Sequence, residues 1–181
     1  MITRGGAPRE IAVPVSVFGS LRAELEKEAG TLPTVHALHH AGYAAGVAAA
    51  ASLFVGDERD ARSLGQDAFW SRLADFFGKR GWGTLQHERR HKAVGILSSS
   101  DWAEAAEGEG GRDASCHFST GFLSGILSEL AGGPVAVLEV GCRMRGEGAC
   151  RFAFGSAGAI HELYGRLMDD DVDLDGALAA L

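Results

Sequence analysis

Cys142 and Cys150 lie eight residues apart on either side of Arg145-Gly146-Glu147-Gly148, and this spacing constrains the fold more than any other feature of the sequence. A turn built on Gly146 and Gly148 closes a hairpin and brings the two thiols together. Glu139 stands three residues before Cys142, at the end of a strand expected over Val135–Val140. Residues three apart in a regular strand face opposite sides. Gly141 between them is therefore informative, because a bulge there swings both side chains to one side. Cys116 falls in the first turn of the preceding helix, where the N-terminus favours a thiolate. Three thiolates and a carboxylate close a tetrahedral zinc shell with no open position, the pattern of a structural rather than a catalytic metal. The spacing also fits a hairpin disulfide between Cys142 and Cys150, or three buried thiols acting as small hydrophobes. His117 adjoins Cys116 but points roughly 100° away on a helix, which favours Glu139 as the fourth ligand.

The rest of the chain changes period part-way. Val17, Leu21 and Leu25 predict an amphipathic helix over Val15–Glu28, closed by Gly30. A second helix opens at Pro33-Thr34 and runs to Leu53. Its stretch Ala41–Ala51 is so rich in Ala and Gly that another helix can approach closely, within the core or across a homodimer, and a homodimer with the helices between Val15 and Leu53 at its interface is the expectation. A third helix spans Ala61–Lys79, with Leu64, Phe69, Leu73 and Phe76 or Phe77 on its inner side. After Gly81-Trp82-Gly83 the pattern reads as strands at Thr84–Glu88 and Ala93–Ser98. A polar loop, Gly108–Asp113, follows. Asp113 or Ser115 can cap the next helix, which carries Cys116, Leu123, Leu127 and Leu130 on one stripe and Gly121 and Gly125 on another. Gly132-Gly133-Pro134 stops it. Beyond the hairpin a last helix covers Ala159–Met168. Strands without strict β-α alternation indicate an α+β fold: N-terminal helices packed on a small antiparallel sheet, with a metal-pinned C-terminal hairpin. A length of 181 residues suits one domain, 1–181, with a loose arm at 1–10 and an acidic tail at 169–181.

The net charge of −7 argues against direct nucleic-acid binding. The run His87-Glu88-Arg89-Arg90-His91-Lys92 is too isolated to reverse that and reads as a solvated strand connection. No apolar stretch reaches the roughly 20 residues of a membrane span. Met1–Gly6 lacks the apolar segment of a secretory signal, so a cytoplasmic location is the default expectation.

The segment Cys116-His117-Phe118, Gly121, Gly125, Val137-Leu138-Glu139-Val140-Gly141-Cys142, Gly146 and Cys150-Arg151-Phe152 resembles the V4R (4-vinyl reductase) domain family. The resemblance covers positions 115–155. It implies a zinc ion on Cys116, Glu139, Cys142 and Cys150. It also implies a fold like that of Golgi transport-complex subunits, commonly dimeric, enclosing an apolar ligand pocket. The family includes sensor domains of aromatic-responsive regulators, which carry an ATPase and a DNA-binding domain after the sensor. This chain ends at Leu181, so action alone or through a partner protein is the expectation.

Trp82, Trp102, Phe118, Phe122 and Val137 are the candidates to line such a pocket, each equally explained as core. His36, His39 and His40 cluster on the second helix without an HExxH pattern and read as core or interface histidines. Asp171-Val172-Asp173-Leu174-Asp175-Gly176 imitates the start of an EF-hand loop, but its twelfth position falls beyond Leu181. No Ser-His-Asp order, phosphate loop or dinucleotide fingerprint stands out. The leading expectation is a dimeric sensor or carrier of a small hydrophobic molecule. An accessory protein or reductase in tetrapyrrole vinyl reduction, and a dimeric interaction adaptor, are the alternatives.

Overall fold

Two pairs of glycines decide how the central helices meet. The computed structural model describes residues 9–54, 64–105, 115–169 and 172–181. Its elements are α1 (Ser16–Ala29), α2 (Thr31–Ala50), α3 (Gln66–Lys79), β1 (Gln86–Glu88), β2 (Val94–Ser99), α4 (His117–Ala131), β3 (Ala136–Gly141), β4 (Cys150–Gly155), α5 (Ala157–Leu167) and α6 (Leu174–Ala179). Gly42 and Gly46 of α2 face Gly121 and Gly125 of α4. A Cβ at Gly42 would overlap the carbonyl oxygen of Phe118, and one at Gly46 that of Phe122. The relation is reciprocal, since a Cβ at Gly121 would meet the carbonyl of His39 and one at Gly125 that of Tyr43. The helices therefore touch backbone to backbone, at a distance where Cα–H···O contacts form. The small-residue face of α2 that had left open an interface between copies is occupied by α4 of the same chain.

The four strands pair antiparallel in the order β1-β2-β4-β3, as the α+β reading expects. Alternation along the strands separates two cores. Leu97, Phe152 and Val137 face α2, α3 and α4, where they join Leu73, Phe77, Trp102, Phe122, Leu123 and Ile126. Val94, Ile96 and Ala153 face the other way, onto Ile160 and Leu163 of α5 and Ala177 and Leu178 of α6. The sheet thus lies between a thick helical layer and a thin one. Gly95 belongs to the same logic, because the Phe154 ring occupies the place of a Cβ there.

Two expectations need correction. The stripe Val17 and Leu21 of α1 faces outward, 37% and 46% exposed, and α1 buries no residue fully. Phe18 turns inward instead, its ring 5.3 Å from Trp82 and 5.5 Å from Phe118. A stripe at helical spacing marks a contact face without saying whose. Of the arm only residues 9 and 10 are described, and there Glu10 accepts from Arg80 at 2.9 Å. The acidic tail holds a helix: Asp173 accepts from the Gly176 amide at 2.8 Å as an N-cap, and Asp175 pairs with Arg90 of the basic run. Its charges are solvated, but Ala177 and Leu178 are core. The polar loop 108–113, Asp113 as a cap, the start of the third helix at Ala61 and Asp171 lie outside the described residues. Among the described residues no helix is long and apolar enough to cross a membrane.

The glycine contact makes a sharp expectation. Gly121→Ala should cost about 3 kcal/mol, because backbone rather than a yielding side chain opposes the new methyl. Gly19→Ala on α1 meets nothing within 4 Å and should gain up to about 1 kcal/mol from helix propensity. Urea denaturation of both variants measures the contrast, and equal midpoints would mean that the helices stand apart.

Candidate metal centre and aromatic cluster

The hairpin bends where the sequence requires it. Glu139 pairs with Phe152 and Gly141 with Arg151, so the ladder slips between them and leaves Val140 as the extra residue of a bulge. A Cβ at Gly141 would displace the Glu147 carboxylate, 2.7 Å away, and press on Arg151 at 3.3 Å. Beyond it Cys142 opens a 3-10 turn over Arg143–Arg145, which Gly146 ends in the left-handed region at φ +85°. Cys150 starts β4 and lies opposite Ser99 of β2. Cys116 is the N-cap residue of α4 rather than a residue of its first turn.

These four positions converge. One ligand atom from each of Cys116, Glu139, Cys142 and Cys150 lies within 4.8 Å of all the others. The Cys116 and Cys150 sulfurs are 3.8 Å apart, about the edge of a tetrahedron with metal–sulfur bonds of 2.3 Å. All three cysteines are free and buried, which sets aside the hairpin disulfide. Glu139 Oε2 accepts from the Cys116 amide at 3.0 Å, whereas its Oε1 is buried with no hydrogen-bond partner. A buried, partnerless carboxylate oxygen beside three thiols is the donor that a cation would take up. The Ser115 hydroxyl stands 3.5 Å from the Cys142 sulfur, a second layer of support. His117 is not among the converging groups, nor are His36, His39 and His40. His36 and His40 are exposed. His39 is half-buried and titrates low, through burial and then its neighbours His40 and His36.

Crowding acidic groups this closely redistributes their protons. Hydrogen bonds from Cys116 and Cys150 hold the Cys142 thiol far below its ordinary range. Cys116 is driven far above it by those same bonds and by burial. Cys150, eased by Cys116 but raised by Cys142 and burial, sits at about 12. Burial, then the Cys142 sulfur, lifts Glu139 to about 8. Of the three thiols Cys142 gives up its proton most readily, and a cation at this site would displace those of the others.

Sequence reasoning passed over Glu104. It lies in a 3-10 turn at Ala103–Ala105 and is only 8% exposed. Its oxygens accept from the Phe118 amide at 2.9 Å and the Ser119 amide at 2.7 Å, as well as from the Ser119 hydroxyl. Burial pushes its carboxyl up to about 7, against the hydrogen bonds from Ser119 and Phe118. The sequence carries no local signal for it, since Ala103-Glu104-Ala105-Ala106 reads equally as a solvated helical turn.

The five pocket candidates all belong to the larger core. Trp102 and Phe122 are buried, and Trp82, Phe118 and Val137 pack against them partly exposed. Trp82 lies parallel to Phe118 at 6.1 Å and tilted to Trp102 at 5.6 Å and to Phe122 at 5.5 Å. Phe77 closes the group at 5.3 Å from Trp102. These rings fill the space with one another. Trp102 Nε1 donates to Ser119 Oγ at 2.8 Å, the bond a buried indole needs.

Residues 99–156 match the V4R domain. The matched segment holds all four converging ligands, together with Trp102, Phe118, Phe122 and Val137, and leaves Trp82 outside. Solved structures extend the likeness to most of the chain. The phenol-responsive sensory domain of the transcription activator PoxR, with phenol, superposes at a TM-score of 0.69 and 18% identity, over 82% of this chain and 77% of that one. A trafficking protein particle complex subunit 3 from Naegleria fowleri, covalently bound to palmitic acid, gives 0.65 and 12%, over 78% and 91%. A vinyl-4-reductase family protein from Methanocaldococcus jannaschii gives 0.54 and 16%, over 81% and 83%. At these identities the likeness is one of fold. No curated protein matches the sequence.

The protons held in this cluster set how a metal should bind. A divalent cation displaces the protons of Cys116 and Cys150 and those left on Glu139, so loading at neutral pH should release about two protons or more. Apparent affinity should rise with pH by about tenfold per unit for each proton displaced. Calorimetric titration in two buffers of different ionisation enthalpy counts them, and a pH-independent affinity would contradict the assignment of thiol ligands.

Proposed function

We propose that the chain is a single zinc-stabilised domain that binds small hydrophobic, above all aromatic, molecules and acts as a sensor or carrier. The observation that carries this reading is the path of α4. The helix begins at Cys116, in the ligand cluster, and delivers Phe118 and Phe122 to the aromatic cluster within its first two turns. One element therefore joins a rigid metal clamp to an apolar interior. The likeness to a sensory domain solved with phenol supports the same reading.

Zinc fits the donor set best. Three thiolates and one carboxylate give a closed four-coordinate shell, suited to a soft-tolerant ion with no geometric preference of its own. The shell leaves no place for substrate, so the metal's role is to fasten the start of α4 to both arms of the β3–β4 hairpin. The sequence's three cysteines all belong to this cluster, leaving no separate thiol to attach a ligand. Ligands here are held without a covalent bond. They enter by parting Phe18, Trp82 and Phe118, where the rings are partly exposed.

Elemental analysis should find about one zinc per chain. Chelation should lower the melting temperature. Cys142→Ser and Cys150→Ser should lower it further than Glu139→Gln, since each thiolate pins one hairpin arm. Phenol, toluene and palmitate, titrated against intrinsic tryptophan fluorescence, test the ligand class. A saturable change with the aromatic compounds is expected, weakened at least about tenfold in Trp82→Ala with its zinc retained. No saturable change with any of the three, and no small molecule in native mass spectra of purified protein, would overturn the reading.

The chain also fits a homodimer. Ile11, Val13, Val15, Val17 and Leu21, on and before α1, are exposed apolar residues, as are Leu32 and Tyr43 of α2, and we read them as one ridge. This ridge, not the alanine and glycine face, is the surface for a second copy. Light scattering should report twice the chain mass at micromolar concentration and a monomer for Leu21→Glu. A monomeric parent protein would refute it.

A further inference from the structure

Glu104 lies between the two features that the proposed function joins, and neither accounts for it alone. Helix α4 does not cap itself. Its N-cap residue is Cys116, which makes no side-chain cap bond because its sulfur belongs to the ligand cluster. Serine, threonine, aspartate or asparagine ordinarily occupy this place to satisfy the first amides of a helix. Here those amides are met from outside. Glu139 accepts from the Cys116 amide, and Glu104 accepts from those of Phe118 and Ser119. Two carboxylates thus share the positive end of one helix. The second also takes the Ser119 hydroxyl, whose oxygen in turn receives Trp102 Nε1.

We propose that Glu104 is a positioning residue for the metal site: it caps α4 from a distant turn, which frees position 116 for a thiolate ligand, and it ties that geometry to Trp102 of the aromatic cluster through Ser119. The proposal rests on the metal reading above. Without the Glu104 carboxylate the first turn of α4 loses two amide acceptors, and the Cys116 thiol is no longer held against Glu139, Cys142 and Cys150. A metal would then find two thiolates and a carboxylate in place and a third thiolate adrift. An ordinary core residue gives no such effect, because it holds the helix as a whole and not its first turn.

Cobalt(II) added to the zinc-free full chain tests this. Its thiolate charge-transfer bands report the number of sulfur ligands, and its visible bands report tetrahedral geometry. In Glu104→Ala the charge-transfer intensity at saturation should fall by about a third, for two thiolates in place of three, with affinity reduced about 10- to 100-fold. Glu104→Gln, which keeps one acceptor, should recover most of the intensity. Leu127→Ala, a core truncation at the far end of the same helix, should lower the melting temperature while leaving the spectrum unchanged. If Glu104→Ala does not fold, Glu104→Gln with Ser119→Ala should show the intensity loss that Ser119→Ala alone lacks. A wild-type spectrum and affinity in the folded Glu104 variants would overturn the proposal and leave the metal reading intact. A wild-type protein that gives no thiolate bands with cobalt would remove the metal reading first, and the proposal with it.

Discussion

Everything near the ligand cluster depends on where α4 sits, and its place is set by backbone contact with α2. Ser119 and every residue from Gly121 to Ser128 are buried, so the helix runs through the interior and cannot slide without disturbing both layers. The interlocked pairs Gly42–Gly46 and Gly121–Gly125 fix its height along α2, since each glycine receives a carbonyl of the other helix. Side-chain packing alone allows small adjustments; backbone-to-backbone contact does not. Its far end is held as well, where Ser124 and Ser128 bond the backbone of Val135 at 2.6 and 2.9 Å. The entry to the hairpin is thereby anchored to the helix that supplies Cys116.

Given that frame, the N-terminus of α4 becomes an electrostatic focus. Two carboxylates and three thiols gather at the positive end of one helix dipole, which favours anionic groups there. A dipole worth about half a charge does not offset so many acids packed together. Burial raises the protonation of Glu139 and Glu104, and the Cys142 sulfur adds to it at Glu139 and Cys150. A divalent cation among the four groups would offset their charge, and the gain would fall on the residues that lock the hairpin to the helix. Binding free energy and folding free energy are then the same quantity at this point.

The ligand cluster was the most legible part of the sequence, because hairpin spacing, a bulge glycine and a turn glycine are local signals. Cys142, Gly141 and Gly146 play the parts their neighbours in sequence imply. The fold class followed from the change of period after Gly83. Less was legible wherever the decisive partner lay far along the chain. Val17 and Leu21 repeat like a core stripe, yet their side of α1 faces away from α2 while Phe18 makes the inward contact. The Ala41–Ala51 stretch announced a close approach, but not that α4 would be the partner. Glu104 was missed because its role is defined by α4, and no local pattern marks a cap supplied from a distant turn. The tail misled through charge: Asp173 and Asp175 are capping and pairing groups at one end of a helix whose other residues are apolar.

These contrasts also decide which side of the molecule can yield to a ligand. On the α2–α4 seam, separation would break backbone contacts that no small molecule can replace. At the ligand cluster it would cost metal bonds. On the α1–α3 side, Phe18, Trp82 and Phe118 hold one another by ring contacts alone, at 5.3 to 6.1 Å between centroids. An entering aromatic ring would exchange such contacts for others of the same kind, worth about 0.5–1.5 kcal/mol each beyond the area buried. The exchange is close to balanced, so a modest gain in buried apolar surface tips it. Alkyl chains bury area but do not restore the ring geometry, which is why the proposed preference is for aromatic molecules. On this reading the rigid half of the fold and the yielding half meet at Phe118, two residues beyond Cys116, where a displaced ring bears directly on the first turn that Glu104 holds.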